Sequence, residues 1–108
     1  MESQISPKAL AERLRIEPLP LLLDVREVEE HNFAALPNSK LIPLSEFQNR
    51  FEELESWRNS EIVVYCHHGI RSLHAIAQLA SAGFSNLSNL SGGIDAWSRE
   101  VDRSVPRY

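Results

Sequence analysis

A single cysteine, Cys66, stands in the 108 residues, so no disulfide can close within the chain. That excludes a disulfide-stapled scaffold and makes a reducing compartment, the cytoplasm, the expected home. Long apolar runs are missing too. "LPLLL" at 19–23 falls far short of the roughly 20 residues a membrane helix needs. The opening "MESQISPKAL" lacks the charged-then-apolar layout of a secretory leader. No basic run occurs, and 11 basic against 15 acidic residues leave a formal charge of -4. Neither a nucleic-acid partner nor a membrane partner is expected. Repeats, low-complexity stretches and linkers are also absent. What remains, 43% hydrophobic and 24% charged, is the composition of an ordinary globular domain, expected as one unit over residues 1–108.

Short apolar runs alternate with amphipathic ones. Ser6-Pro7 reads as a helix cap and first position, predicting a helix from Pro7 to about Leu14 that "EPLP" ends. "LLLDV" at 21–25 suits a strand covered on both faces. "REVEEHNF" reads as one short helical stretch, and "KLIPL" at 40–44 as a second strand. Ser45 is expected to cap a helix whose face carries Phe47, Phe51 and Leu54. "EIVVYC" at 61–66 is the strongest strand, being β-branched and aromatic. "RSLHAIAQLASAG" predicts a helix stopped by Gly83 in a left-handed conformation. A last strand falls within "FSNLSNLSGG", and Ile94, Trp97 and Val101 stripe a final helix. Such alternation indicates an α/β fold around a mostly parallel sheet, with ligands beyond the carboxyl ends of the strands.

Cys66 lies at such an end, just before a helix, in "VVYCHHGIRS". An ordinary thiol, with a pKa near 8.5, is only about 3% thiolate at pH 7. A helix N-terminus offers free N–H groups and partial positive charge, and a tight loop aims more N–H groups inward. Gly69 lets the loop turn, and Arg71 adds a permanent cation. Lowering the pKa by two units takes roughly 2.7 kcal/mol and makes about three quarters of the sulfur thiolate at pH 7. The same donors would hold an anion against the sulfur, which suits a cysteine nucleophile and an anionic substrate.

"CHHGIRS" resembles the Cys-x-x-Gly-x-Arg loop of rhodanese domains, the sulfurtransferases. "LLDVRE" at 22–27 is similar to the family's Asp-x-Arg segment, and "LSGGIDAW" at 90–97 to its Gly-Gly-x-x-x-Trp segment. The resemblance covers nearly the whole chain. It implies a five-stranded parallel sheet with helices on both faces. It also implies that Cys66 takes a sulfane sulfur from a small anionic donor such as thiosulfate, becomes a persulfide, and passes the sulfur to cyanide or a thiol. No metal or organic cofactor is expected. Backbone N–H groups of residues 67–71 would form the anion cradle, with His67, His68, Gly69, Ile70, Arg71 and Ser72 lining it. One segment departs from the family: "AALPNS" at 34–39 has Ala35 and Asn38 where histidine and glycine are usual.

Other readings compete. Four residues separate Cys66 from Arg71, where the tyrosine phosphatases and the arsenate reductases of related fold use five, so sulfur transfer is favoured. A carrier module loaded by a partner desulfurase remains the alternative, as does a protein sulfur acceptor. A zinc site of Cys66, His67, His68 and His74 is disfavoured because adjacent ligands converge poorly. His67 and His68 are equally well read as exposed loop residues tuning the local field. Ser72 either bonds the loop or caps its helix. Asp24 and Arg26 read as a structural pair, and Trp97 as core.

Overall fold

The structure, a computed structural model, describes residues 3–108. Five strands alternate with helices: β1 (Ser3–Ile5), α1 (Pro7–Arg13), β2 (Leu21–Asp24), α2 (Val28–Phe33), β3 (Lys40–Leu41), α3 (Phe47–Arg50), β4 (Ile62–Tyr65), α4 (Arg71–Ser81), β5 (Leu87–Leu90) and α5 (Gly93–Glu100). The strands form one sheet in the order β1-β5-β4-β2-β3, and all four pairings are parallel.

Successive side chains of a strand point to opposite faces, so a strand covered on both must be apolar throughout. β4 shows this directly. Ile62 and Val64, together with Cys66 just beyond the strand, pack with Leu79, Ala75, Phe47 and Leu54 on one face. Val63 and Tyr65 pack with Leu10, Leu90, Ile94 and Trp97 on the other. Trp97 is core, as expected.

The helix ends follow local chemistry. Ser6 Oγ accepts the Ala9 N–H at 3.1 Å, capping α1 just before Pro7. Removing that bond in Ser6→Ala should cost about 1 kcal/mol and lower the melting temperature by a few degrees. Gly83, at φ +96°, ends α4 in the left-handed conformation the sequence predicts. The regular pairing of β3 with β2 covers Lys40–Leu41, shorter than the 40–44 expected, yet backbone bonds to the β2 end continue past Pro43. The N–H groups of Ile42 and Leu44, on either side of it, donate to Asp24 and Val25 at 2.9 and 3.0 Å.

The structure differs from the sequence expectation in two elements. β1 carries no local signal, being three largely exposed residues, and exists because it pairs with β5 at the sheet edge. The helix expected from Ser45 is broken into a 3₁₀ turn over Leu44–Glu46, the four-residue α3, and a second 3₁₀ stretch over Phe51–Trp57. Ser45 caps nothing; its hydroxyl donates to the Glu27 carboxylate at 3.1 Å. Phe47 and Leu54 still reach the core, both fully buried. Tertiary packing thus overrides the α-helical period.

Candidate active site

β4 is flanked on both sides within the sheet, and the chain leaves its carboxyl end at Cys66. Residues 66–70 turn tightly into α4, with Gly69 at φ +101°. Cys66 is 1% exposed, but its sulfur is not embedded in apolar surroundings alone. The Gly69 N–H donates to Cys66 Sγ at 3.1 Å, and the Ser72 N–H, in the first turn of α4, at 3.4 Å. Two backbone N–H donors at a helix N-terminus thus point at this atom, the arrangement that holds an anion. Of the cradle expected from residues 67–71, Gly69 is the member that bonds the sulfur, and Ser72 extends it by one residue. Ser72 Oγ also lies 3.4 Å from Sγ. Its hydroxyl proton is donated to Asn89 Oδ1, which leaves its oxygen free to accept from a neutral thiol.

Asn89, in β5, is a buried support that sequence reading missed. Its amide donates to Gly69 O at 3.3 Å and Gln4 Oε1 at 3.0 Å while it accepts from Ser72, so one side chain ties the end of the loop and the first turn of α4 to the sheet.

A second helix also holds the loop. The first N–H groups of α5 reach back: Ile94 donates to Cys66 O at 2.9 Å and Asp95 to His67 O at 3.1 Å. These bonds keep the carbonyl dipoles of the loop engaged with α5. The approach needs Gly93, at φ +63°, because a Cβ there would overlap the carbonyl groups of Cys66 and His67.

The remaining loop residues stand apart from the sulfur. His67 stacks against Tyr108, centroids 3.9 Å apart and planes 7° from parallel, with His68 on it at 3.8 Å. Burial, aided by the neighbouring His68, pushes the His67 pKa below the ordinary imidazole value, and its Nε2 is buried without a partner. Ile70 is 66% exposed. Neither Cys66 nor His74 joins a metal-ligand cluster. Among the described residues, the donor atoms that converge are those of His67, His68 and Asp95, and Asp95 already binds Arg99 and Arg107 at 3.1 and 2.9 Å.

Arg71, the first residue of α4, is clamped. Its two terminal nitrogens donate to Glu30 Oε1 and Oε2 at 2.7 and 2.8 Å. Glu30 also accepts from the Glu27 N–H at 3.0 Å and the Tyr108 hydroxyl at 2.9 Å. The Arg71 hydrogen bonds hold the Glu30 carboxyl down to about 2, from 4.5. The folded value is depressed, so the pair stabilises the fold above pH 4.5 and loses that contribution as pH falls toward 2. Neither Glu30 nor Tyr108 was singled out in the sequence.

Below this pair lies Arg26–Asp24, both fully buried. Asp24 accepts from the Arg26 backbone N–H, Nε and Nη2 at 3.0, 2.9 and 2.7 Å, a structural role as expected. Arg26 Nη2 donates to Ala34 O at 2.6 Å, and Tyr65 Oη accepts the Leu36 N–H at 3.1 Å. The divergent 34–39 loop is thus pinned from beneath. Asn38 takes φ +61°, a left-handed conformation that asparagine tolerates in place of glycine.

Comparison with known proteins agrees with this geometry. The family model described as Rhodanese-like domain matches residues 6–100. The chain is 32% identical over 121 residues to "Adenylyltransferase and sulfurtransferase MOCS3" of Arabidopsis thaliana, covering 99% of this chain but only 26%, about a quarter, of that longer protein. It is 32% identical over 99 residues to "Sulfurtransferase" of Allochromatium vinosum, covering 92% of this chain and 91% of the relative. The crystal structure of a rhodanese-related protein from Thermoplasma volcanium superposes with a TM-score of 0.81 at 34% identity, covering 92% and 93% of the two chains. With the motifs, the all-parallel five-stranded sheet and the family match in agreement, this chain belongs to the rhodanese-like domain family.

Proposed function

We propose that the chain is one sulfurtransferase domain, working in the cytoplasm, with Cys66 as nucleophile and persulfide carrier. The observation that carries this reading is the pair of backbone N–H groups, from Gly69 and Ser72, aimed at Cys66 Sγ. Sulfurtransferase in the names of two relatives supports it. The Cys66 thiolate attacks the outer sulfur of an anionic donor, thiosulfate being the simplest. A new sulfur–sulfur bond forms, the donor's own sulfur–sulfur bond breaks, and sulfite leaves with the bonding pair. The persulfide then occupies the cradle, where the N–H donors offset its charge. An acceptor, cyanide or a thiolate on a small molecule or protein, attacks the outer sulfur and Cys66 departs as thiolate. Arg71, the first residue of α4, is paired with Glu30, which limits the charge it offers the donor.

Incubation with thiosulfate followed by intact-mass measurement should add one sulfur, about 32 Da, to the wild type and nothing to Cys66→Ala. Full sulfur-transfer activity in Cys66→Ala would remove Cys66 from the chemistry. Loading from a protein desulfurase with little thiosulfate turnover would instead identify a carrier module. Hydrolysis of a phosphate ester, or reduction of arsenate, would point to the phosphatase or reductase chemistry of related folds.

A further inference from the structure

We propose that Glu30 sets donor specificity by neutralising Arg71, so that the site prefers sulfane-sulfur donors of low charge, persulfides carried on a thiol, over the thiosulfate dianion. The inference rests on Cys66 being the sulfur acceptor.

Arg71 is the cation built into the loop, one residue before the amide that bonds the sulfur. A dianion approaching a charged sulfur needs that cation free. Both terminal nitrogens are instead spent on one carboxylate, in a two-point pairing at 2.7 and 2.8 Å. The carboxylate is itself immobilised. Oε1 takes the Glu27 N–H, and Oε2 takes the Tyr108 hydroxyl, which in turn accepts from Arg26 Nη1 at 2.7 Å. Tyr108 is held by its stacking on His67 and its edge contact with Phe33. Glu30 therefore cannot swing away without dismantling several contacts, and the Arg71 charge stays offset.

The other cations on this end do not replace Arg71. Arg26 is buried against Asp24. Arg99 and Arg107 share the one Asp95 carboxylate and are 47% and 57% exposed, where solvent and salt screen them. Apolar side chains complete this end: Ile70, Phe33, Val28 and Tyr108 are exposed at 66%, 55%, 46% and 44%. That setting suits a donor whose carrier is uncharged. The thiolate of Cys66 attacks the terminal sulfur of such a persulfide, and the carrier leaves as its thiolate, so atoms and electrons balance without another reactant.

Glu30→Gln keeps an oxygen for the Glu27 N–H, as glutamine does in a capping box, and frees the Arg71 charge. Loading of Cys66 should be timed by intact mass with two donors, thiosulfate and the persulfide of 2-mercaptoethanol. The ratio of the thiosulfate rate to the persulfide rate should rise about tenfold in Glu30→Gln. A second variant, Arg71→Gln, leaves Glu30 uncompensated and should slow thiosulfate loading by about tenfold, with thermal melts confirming that both variants fold. A ratio within twofold of wild type, or an equal change with both donors, overturns the proposal while leaving Cys66 chemistry standing. An unchanged thiosulfate rate in Arg71→Gln overturns it as well. Failure of both donors to load wild-type Cys66 would instead sink the underlying reading.

Discussion

Gly93→Ala is expected to lose sulfur loading and a large share of the chain's stability together. The added Cβ would meet the carbonyls of Cys66 and His67, which are backbone and cannot rotate aside. Its φ of +63° is also unfavourable for alanine. The left-handed conformation costs roughly 1 kcal/mol, and forcing the loop and α5 apart adds roughly 1–3 kcal/mol of overpacking. The bonds from Ile94 and Asp95 to those carbonyls are then stretched, which would release the loop from the geometry that aims the Gly69 N–H at the sulfur. A fall in melting temperature on the order of 10 °C or more should accompany loss of thiosulfate loading. Gly83→Ala is the natural comparison. It too has positive φ, but its Cβ meets the end of the flexible Arg58 side chain, so a smaller drop with loading retained is expected. Equal stability and loading in Gly93→Ala and wild type would refute the role given to this glycine.

Removing Asp24 should cost about as much through a different force. Burial by itself disfavours the Arg26 charge. The hydrogen bonds from Asp24 and Tyr108 and the Asp24 charge outweigh it and raise the guanidinium pKa above its ordinary value. Asp24→Ala deletes the carboxylate and strands a fully buried cation, a change that costs about 3–5 kcal/mol. His31 Nδ1, 2.8 Å from the same carboxylate, loses its partner too. In urea the unfolding midpoint should fall sharply. Pairing the change with Arg26→Met should recover much of the loss, because the penalty lies in the unpaired charge rather than in the missing contact. A single variant within 1 kcal/mol of wild type would show that water or another group reaches Arg26, contrary to its complete burial.

Much of this was legible locally. The runs at 21–25 and 61–66 are apolar without alternation, which matches strands buried on both faces, and the structure places them side by side in the sheet. The Ser6-Pro7 cap and the Gly83 stop are short-range features with short-range causes, and both appear as read. The Cys66 loop was equally legible, since a thiol between a strand end and a helix start faces that helix's free N–H groups. The helix after Ser45 was misread for the complementary reason. The spacing of Phe47, Phe51 and Leu54 reports which face is apolar, but the winding was chosen by the surface it packs against.

By itself, the sequence determined the alternation of strands and helices, the family likeness and the position of the loop cysteine, because each is written in neighbouring residues. Tertiary structure alone decided what surrounds that sulfur. Glu30 and Arg71 are 41 positions apart, Tyr108 and Glu30 are 78 apart, and Asn89 meets Ser72 across 17. Hydrogen bonds and charge pairing act over a few ångströms of space, whatever the separation along the chain, so only the folded arrangement brings these groups within range.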